Sequence, residues 1–156
     1  MKKVLIALDY NPTAQKVAET GYSLGKSLNA EVILLHVIAD MKFYATSEFS
    51  PIMGYNGYVD VSPTVLESID GLKDASLEYL NKTKQHLGDD SIQTVVNEGD
   101  TAETILSTAE QVHADIIVMG SHSQKWLENI VMGSVTESVM NQSSVPLFII
   151  PTKKDH

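Results

Sequence analysis

Gly120, Gly133 and Ser134 are the residues whose types and spacing best suit chemistry, and that chemistry is anion binding. They stand in MGSHSQKWLENIVMGSVTESVM, residues 119–140. A helix opening at Gly133 would turn the backbone N–H groups of Gly133, Ser134 and Val135, with the Ser134 hydroxyl, toward a bound anion. A plain helix cap at Gly133-Ser134 explains the same residues without a ligand. The sequence contains neither GxxxxGK[ST] nor GxGxxG, the more familiar phosphate loops. Lys125 is the one cation of this loop, and it reads equally as a phosphate contact or as a solvated surface lysine.

Histidines invite a metal reading that their spacing does not support. His36, His86, His113, His122 and His156 form no i, i+4 pair and no HExxH. His36 at a strand end reads as a packed, hydrogen-bonded core residue, His122 as a solvent-facing loop residue with a ligand contact as the other reading, and Trp126 as a ring packing the loop onto the fold, with stacking on a ligand as the other. Spacing alone identifies no Ser/His/Asp arrangement, so no catalytic residue is assigned. The chain has no cysteine, which excludes disulfides, thiolate metal sites and cysteine nucleophiles. All 11 basic residues are lysine, so there is no arginine finger and no planar bidentate clamp for phosphate.

Such residues need a scaffold, and 156 residues suffice for one domain, 1–156. With 43% hydrophobic and 20% charged residues the composition is that of an ordinary globular protein. The formal net charge of -9 and the lack of a basic patch argue against nucleic acid or an anionic membrane as partner. The apolar run Val4 to Leu8 stops at Asp9, too short for a signal peptide, and no run approaches the roughly 20 residues of a membrane span. A cytoplasmic location is expected.

The elements follow from periodicity. Val4–Leu8, Glu31–Val37, Ile92–Val96, Asp115–Met119 and Pro146–Ile150 are short apolar-rich runs of the kind found in buried strands. Between them, Ala14, Val17, Ala18, Gly21, Leu24 and Leu28 recur at helical spacing, with Asn11-Pro12 as the expected start and Asn29 as the end. Val65 to Leu87 carries an interrupted helical stripe closed by Gly88. Asp100 and Glu103 resemble a capping box before a stripe at Ala102, Ile105, Leu106, Ala109 and Val112. A last helix is expected over Gly133–Gln142. This alternation predicts an α/β fold: a five-stranded, mostly parallel open sheet with helices on both faces. Ligands of such sheets bind beyond the C-terminal strand ends, which brings Asp9, Val37 and the loop opening at Gly120 together. Residues 38–63 have no period yet hold five of the ten aromatics. They read as a partly ordered flap, with plain surface packing or disorder as the other readings.

Nearly end to end, the chain resembles the universal stress proteins. VLIALDYNPTAQKV is similar to that family's opening strand and helix, ILLHV to its second strand, ADIIVMGSHS to its fourth strand and loop, and GSVTESVMNQSSVPLFII to its last helix and strand. The resemblance implies a Rossmann-like (adenine nucleotide alpha hydrolase-like) sheet and a homodimer, with the last strand, 145–150, at the sheet edge. One branch binds ATP through Gly-x2-Gly-x9-Gly-[Ser/Thr]. Gly120, Gly133 and Ser134 match at the right spacing, and Ser123 replaces the second glycine. A non-glycine residue with positive φ costs about 1–2 kcal/mol, roughly a tenfold loss of affinity. The resemblance further implies that Asp9 faces the ribose or adenine edge, that Val37 meets adenine through its backbone, and that Gly120, Ser123, Gly133, Ser134 and Val135 hold the phosphates. With so few cations, Mg²⁺ or Mn²⁺ is expected to accompany a triphosphate. The expected function is a nucleotide-binding stress-response sensor or adaptor. The alternatives are a dimeric interaction module without nucleotide and a slow ATPase.

Overall fold

Five apolar runs become strands because each lies against helices in a layered sheet. A computed structural model describes residues 2–10, 12–39, 69–121 and 133–152. The strands β1 (Lys3–Ala7), β2 (Glu31–Ile38), β3 (Gln93–Glu98), β4 (Ile116–Gly120) and β5 (Leu147–Ile150) form one sheet in the order β3-β2-β1-β4-β5. Its pairings are all parallel, so the expected mostly parallel sheet is wholly so among the described residues. The helices among the described residues are α1 (Ala14–Ser27), α2 (Ile69–Leu87), α3 (Thr101–Val112) and α4 (Ser134–Gln142).

Alternation along each strand divides the core into two layers. Val4, Ile6, Val32, Leu34 and Val118 face α1 and α2, where Val17, Ala18, Tyr79 and Leu80 meet them. Leu5, Ile33, Leu35, Ile117 and Met119 face α3 and α4, packing on Ile105, Ala109 and Val139. A Cβ on Gly21 would lie 2.9 Å from Ile6 Cδ1, so the bare backbone there lets α1 approach the sheet closely.

Local signals set most boundaries. The Asp100 carboxylate accepts the Glu103 N–H at 3.1 Å and opens α3 as the capping pattern predicts. Asn29, at φ 53°, and Gly88, at φ 71°, follow the ends of α1 and α2. The start of α1 differs from expectation: Thr13 is its cap, without a side-chain bond, Pro12 lies in the turn before it, and Asn11 is outside the described residues. Ala14 and Val17 are both buried, and their packing fixes the helix phase where the Asn-Pro signal would have begun it earlier. The third strand also shifts from 92–96 to Gln93–Glu98, since it is a half-buried edge strand. Of the aromatic-rich stretch 38–63, only Ile38 and Ala39 lie within the described residues.

The chain steps outward from β1 to β2 and β3, then returns to the other side of β1 with β4. That reversal opens the sheet between the C-terminal ends of β1 and β4, and it is the feature that positions the site.

Candidate functional site

Above the ends of β1 and β4 lies a cleft of about 790 Å³, its open mouth included. Ala7, Leu8 and Met119 from the ends of β1 and β4 line it, together with the apolar Leu35, Val37, Ala39 and Ile105. Three helix starts contribute to the lining: Thr13 of α1, Thr101 of α3, and Val135 and Thr136 of α4. Helix N-termini bring partial positive charge and amide donors. Asp9 is the one carboxylate in the described lining, which contains no lysine.

The β4–α4 connection is pinned at its base. Ser121 N–H donates to Ile150 O at 2.9 Å, and Gly133 N–H donates to Ser121 O at 2.6 Å. Thr152 N–H donates to Ser121 Oγ at 3.0 Å, while Thr136 Oγ1 donates to Gly120 O at 2.8 Å. The Gly133 amide, expected among the anion donors, is therefore committed to closing the loop. The amides of Ser134, Val135 and Thr136 have no intrahelical acceptor because they occupy the first turn of α4. Gly120 lines the cleft, and a Cβ there would stand 2.8 Å from Thr152 Cγ2 and 3.2 Å from Val17 Cγ2. Close packing of three segments explains this glycine.

Asp9 sits where the chain leaves the sheet. Leu8 N–H still reaches Leu35 O at 2.8 Å, after which side chains take over. His36 Nδ1 meets Leu8 O at 2.8 Å, and the Tyr79 hydroxyl donates to Asp9 O at 2.9 Å. The His36 ring lies 4.2 Å from that of Tyr10, and Tyr79 meets both rings edge-on. Because Leu8 O can only accept, Nδ1 carries the proton. Burial pushes the His36 pKa down to about 4, partly opposed by that bond. His36 is thus the hydrogen-bonded core residue expected of it.

Of the site residues expected from sequence, Asp9, Val37, Gly120 and Val135 line one cleft, and the core histidine His36 lines it as well. Ser134 is exposed at the same helix start, Gly133 closes the loop, and Ser123, Lys125, His122 and Trp126 lie outside the described residues. Thr13, Thr101, Ile105 and Thr136 were missed. Their signal is positional: three lie at or beside the start of a helix that follows a strand, and Ile105 lies on the next turn of α3.

Sequence and structure comparisons agree with this architecture. A profile described as the universal stress protein family matches residues 1–151. Universal stress protein MJ0577 of Methanocaldococcus jannaschii is 33% identical over 160 residues, covering 97% of this chain and 96% of that protein. The solved structure of MJ0577 superposes with a TM-score of 0.74 at 28% identity, covering 99% of this chain and 98% of that one. A universal stress protein solved in complex with cAMP shares the fold, with a TM-score of 0.64 at 18% identity and 96% of each chain covered.

Proposed function

The chain belongs to the universal stress protein family, and from that premise we propose that it binds an adenine nucleotide, ATP in the first instance, as a stress-response sensor or adaptor in the cytoplasm. The observation that carries the reading is the cleft itself. An apolar side at Val37, Ala39 and Ile105 suits a base, while the first-turn amides of α4 suit phosphates across the β1/β4 opening. The complex with cAMP seen for one protein of this fold supports an adenine nucleotide as the first ligand to try.

In this reading Asp9 takes the ribose or the adenine edge and Val37 meets adenine through its backbone. Ser134 and Val135 face the phosphates with Gly120 at the strand end, and Ser123 and Lys125 belong to the same phosphate loop. The described lining has no cation, and the described residues hold no cluster of three or more His, Asp or Glu side chains fit for a metal. Mg²⁺ or Mn²⁺ would therefore arrive on the triphosphate. Beside Asp9 the described cleft is lined by one other titratable side chain, the His36 imidazole, whose Nδ1–H is held by Leu8 O, and by no cationic clamp, so hydrolysis should be slow at most.

Calorimetric titration with Mg-ATP tests the reading, along with a search for nucleotide released from the purified protein on denaturation. Wild type should give measurable heat. Ser123→Gly should tighten binding by up to about tenfold if position 123 takes a positive φ. No heat from either protein would leave a family member acting without nucleotide.

We also propose a homodimer through the last strand, 145–150. β5 is a sheet edge, and Phe148 stands 38% exposed on it.

A further inference from the structure

The β1–β2 ladder ends one step before its strands require. Glu31 N–H donates to Lys2 O, so by alternation the N–H and C=O groups of residues 33, 35 and 37 also face β1. The register stops at Ala7 opposite Leu35, although β2 continues to Ile38. Leu8 O is the acceptor that Val37 N–H would meet next. That carbonyl is held at 2.8 Å by His36 Nδ1.

We propose that His36 is a positioning residue that creates the polar reading edge of the cleft: by taking Leu8 O with its Nδ1–H, it leaves the Val37 N–H and C=O facing the cleft as a donor–acceptor pair for a ligand. His36 lines the cleft from within the core. It is 3% exposed, its Nε2 has no hydrogen-bond partner among the described residues, and its ring is packed by Tyr10 and Tyr79. Tyr79 supports the same turn one residue on, through Asp9 O. Together they hold two successive carbonyls and so fix the peptide from which the Asp9 side chain projects. The Val37 pair matches a ring nitrogen acceptor beside an amino donor, the arrangement on the adenine edge. Hypoxanthine presents the reverse, a carbonyl beside a ring N–H. The identity of the ligand rests on the nucleotide reading; the role of His36 does not.

The test is made on the protein without ligand. Nitrogen chemical shifts should show His36 as the Nδ1–H tautomer, and the Val37 amide should exchange with solvent well over tenfold faster than that of Leu35, which is ladder-bonded. In His36→Phe the ring still fills its place but donates nothing. Val37 N–H can then close onto Leu8 O, so its exchange should slow about tenfold. His36→Asn keeps a donor near the Nδ1 position and should behave as wild type. A general loosening would speed exchange instead, which separates this role from a merely structural one. An Nε2–H tautomer, a wild-type Val37 amide as protected as Leu35, or unchanged or faster exchange in His36→Phe would each overturn the proposal. If His36→Phe does not fold, the two wild-type measurements still decide. ATP titration adds a separate arm: His36→Phe should lose about tenfold in ATP affinity and little for inosine triphosphate. Absence of ATP binding by wild type would count against the nucleotide reading and leave the amide results to judge His36.

Discussion

Burial holds the His36 imidazole at a pKa of about 4, against 6.5 for an unperturbed histidine. As pH falls below about 6.5 the unfolded chain takes up the proton first, while the folded chain keeps a neutral ring down to about pH 4. The unfolded state thus binds more protons throughout that window, and stability falls as pH falls. A gap of this size corresponds to about 2 kcal/mol lost between pH 7.5 and pH 5. The perturbed carboxylates act lower. Hydrogen bonds from the Ser91 hydroxyl and amide hold Asp89 at about 2, and those from Gln15 and His86 hold Glu19 below the usual carboxylate range. Their contributions are lost only as pH drops through the carboxylate range. Urea unfolding at pH 7.5 and pH 5 should therefore show the loss in wild type and little of it in His36→Phe. Equal losses in the two proteins would mean that the histidine is not the group that titrates. The same residue shows how far the sequence could be read. Its position at a strand end pointed to a packed core histidine, but the bond to Leu8 O depends on how β1 ends against β2, which no spacing encodes.

At the scale of elements, α1, β4 and the segment after β5 pack together at the end of β4. Gly120 lies between Val17 and Thr152, and an added Cβ would meet Thr152 Cγ2 at 2.8 Å. Gly120→Ala should destabilise the fold by about 1–3 kcal/mol through overpacking. Thr152→Ser removes the offending methyl and keeps the hydroxyl that pairs with Ser121. Combined with Gly120→Ala it should recover much of the loss, read as a coupling energy in a double-mutant cycle. Additive effects would show that the chain relieves the contact elsewhere. Gly120 was read from sequence as a phosphate-loop residue, whereas the geometry gives it a packing reason that any ligand role would share. Legibility followed burial in the same way for whole elements. The strands β1, β2 and β4 stood out as continuous apolar runs because both faces are covered. β3 carries a mixed pattern, QTVVNE, because it is an edge, and its ends were misplaced. The start of α1 was misplaced because Ala14 and Val17 set the helix phase from the core. The cleft was legible at its strand ends, Asp9, Val37 and Gly120. It was not legible at Thr13, Thr101, Ile105 and Thr136, which only the strand order brings to the same opening.

At the scale of the molecule, the two edges of the sheet differ in what they offer. β3 presents exposed Gln93 and Glu98, polar and charged ends that discourage pairing with another strand. β5 reads LFII, with Leu147 and Ile149 half-buried and Phe148 38% exposed. An apolar edge that no other described strand covers invites association, and two β5 strands running antiparallel about a two-fold axis would satisfy both backbones in one closed contact. A chain carrying a net charge of -9 repels its copies elsewhere, which favours a contact confined to this uncharged strand. Light scattering at micromolar concentration should give twice the 17.1 kDa chain mass. Phe148→Asp brings a carboxylate from each copy into the contact and should yield the single-chain mass. Because Phe148 is partly exposed within one chain, the variant should keep its fold. The cleft opens between β1 and β4, so ATP titration of the monomeric variant should match wild type. A wild type that scatters as a monomer would sink the edge-strand dimer. A Phe148→Asp protein that stays dimeric would move the contact to another face of the molecule.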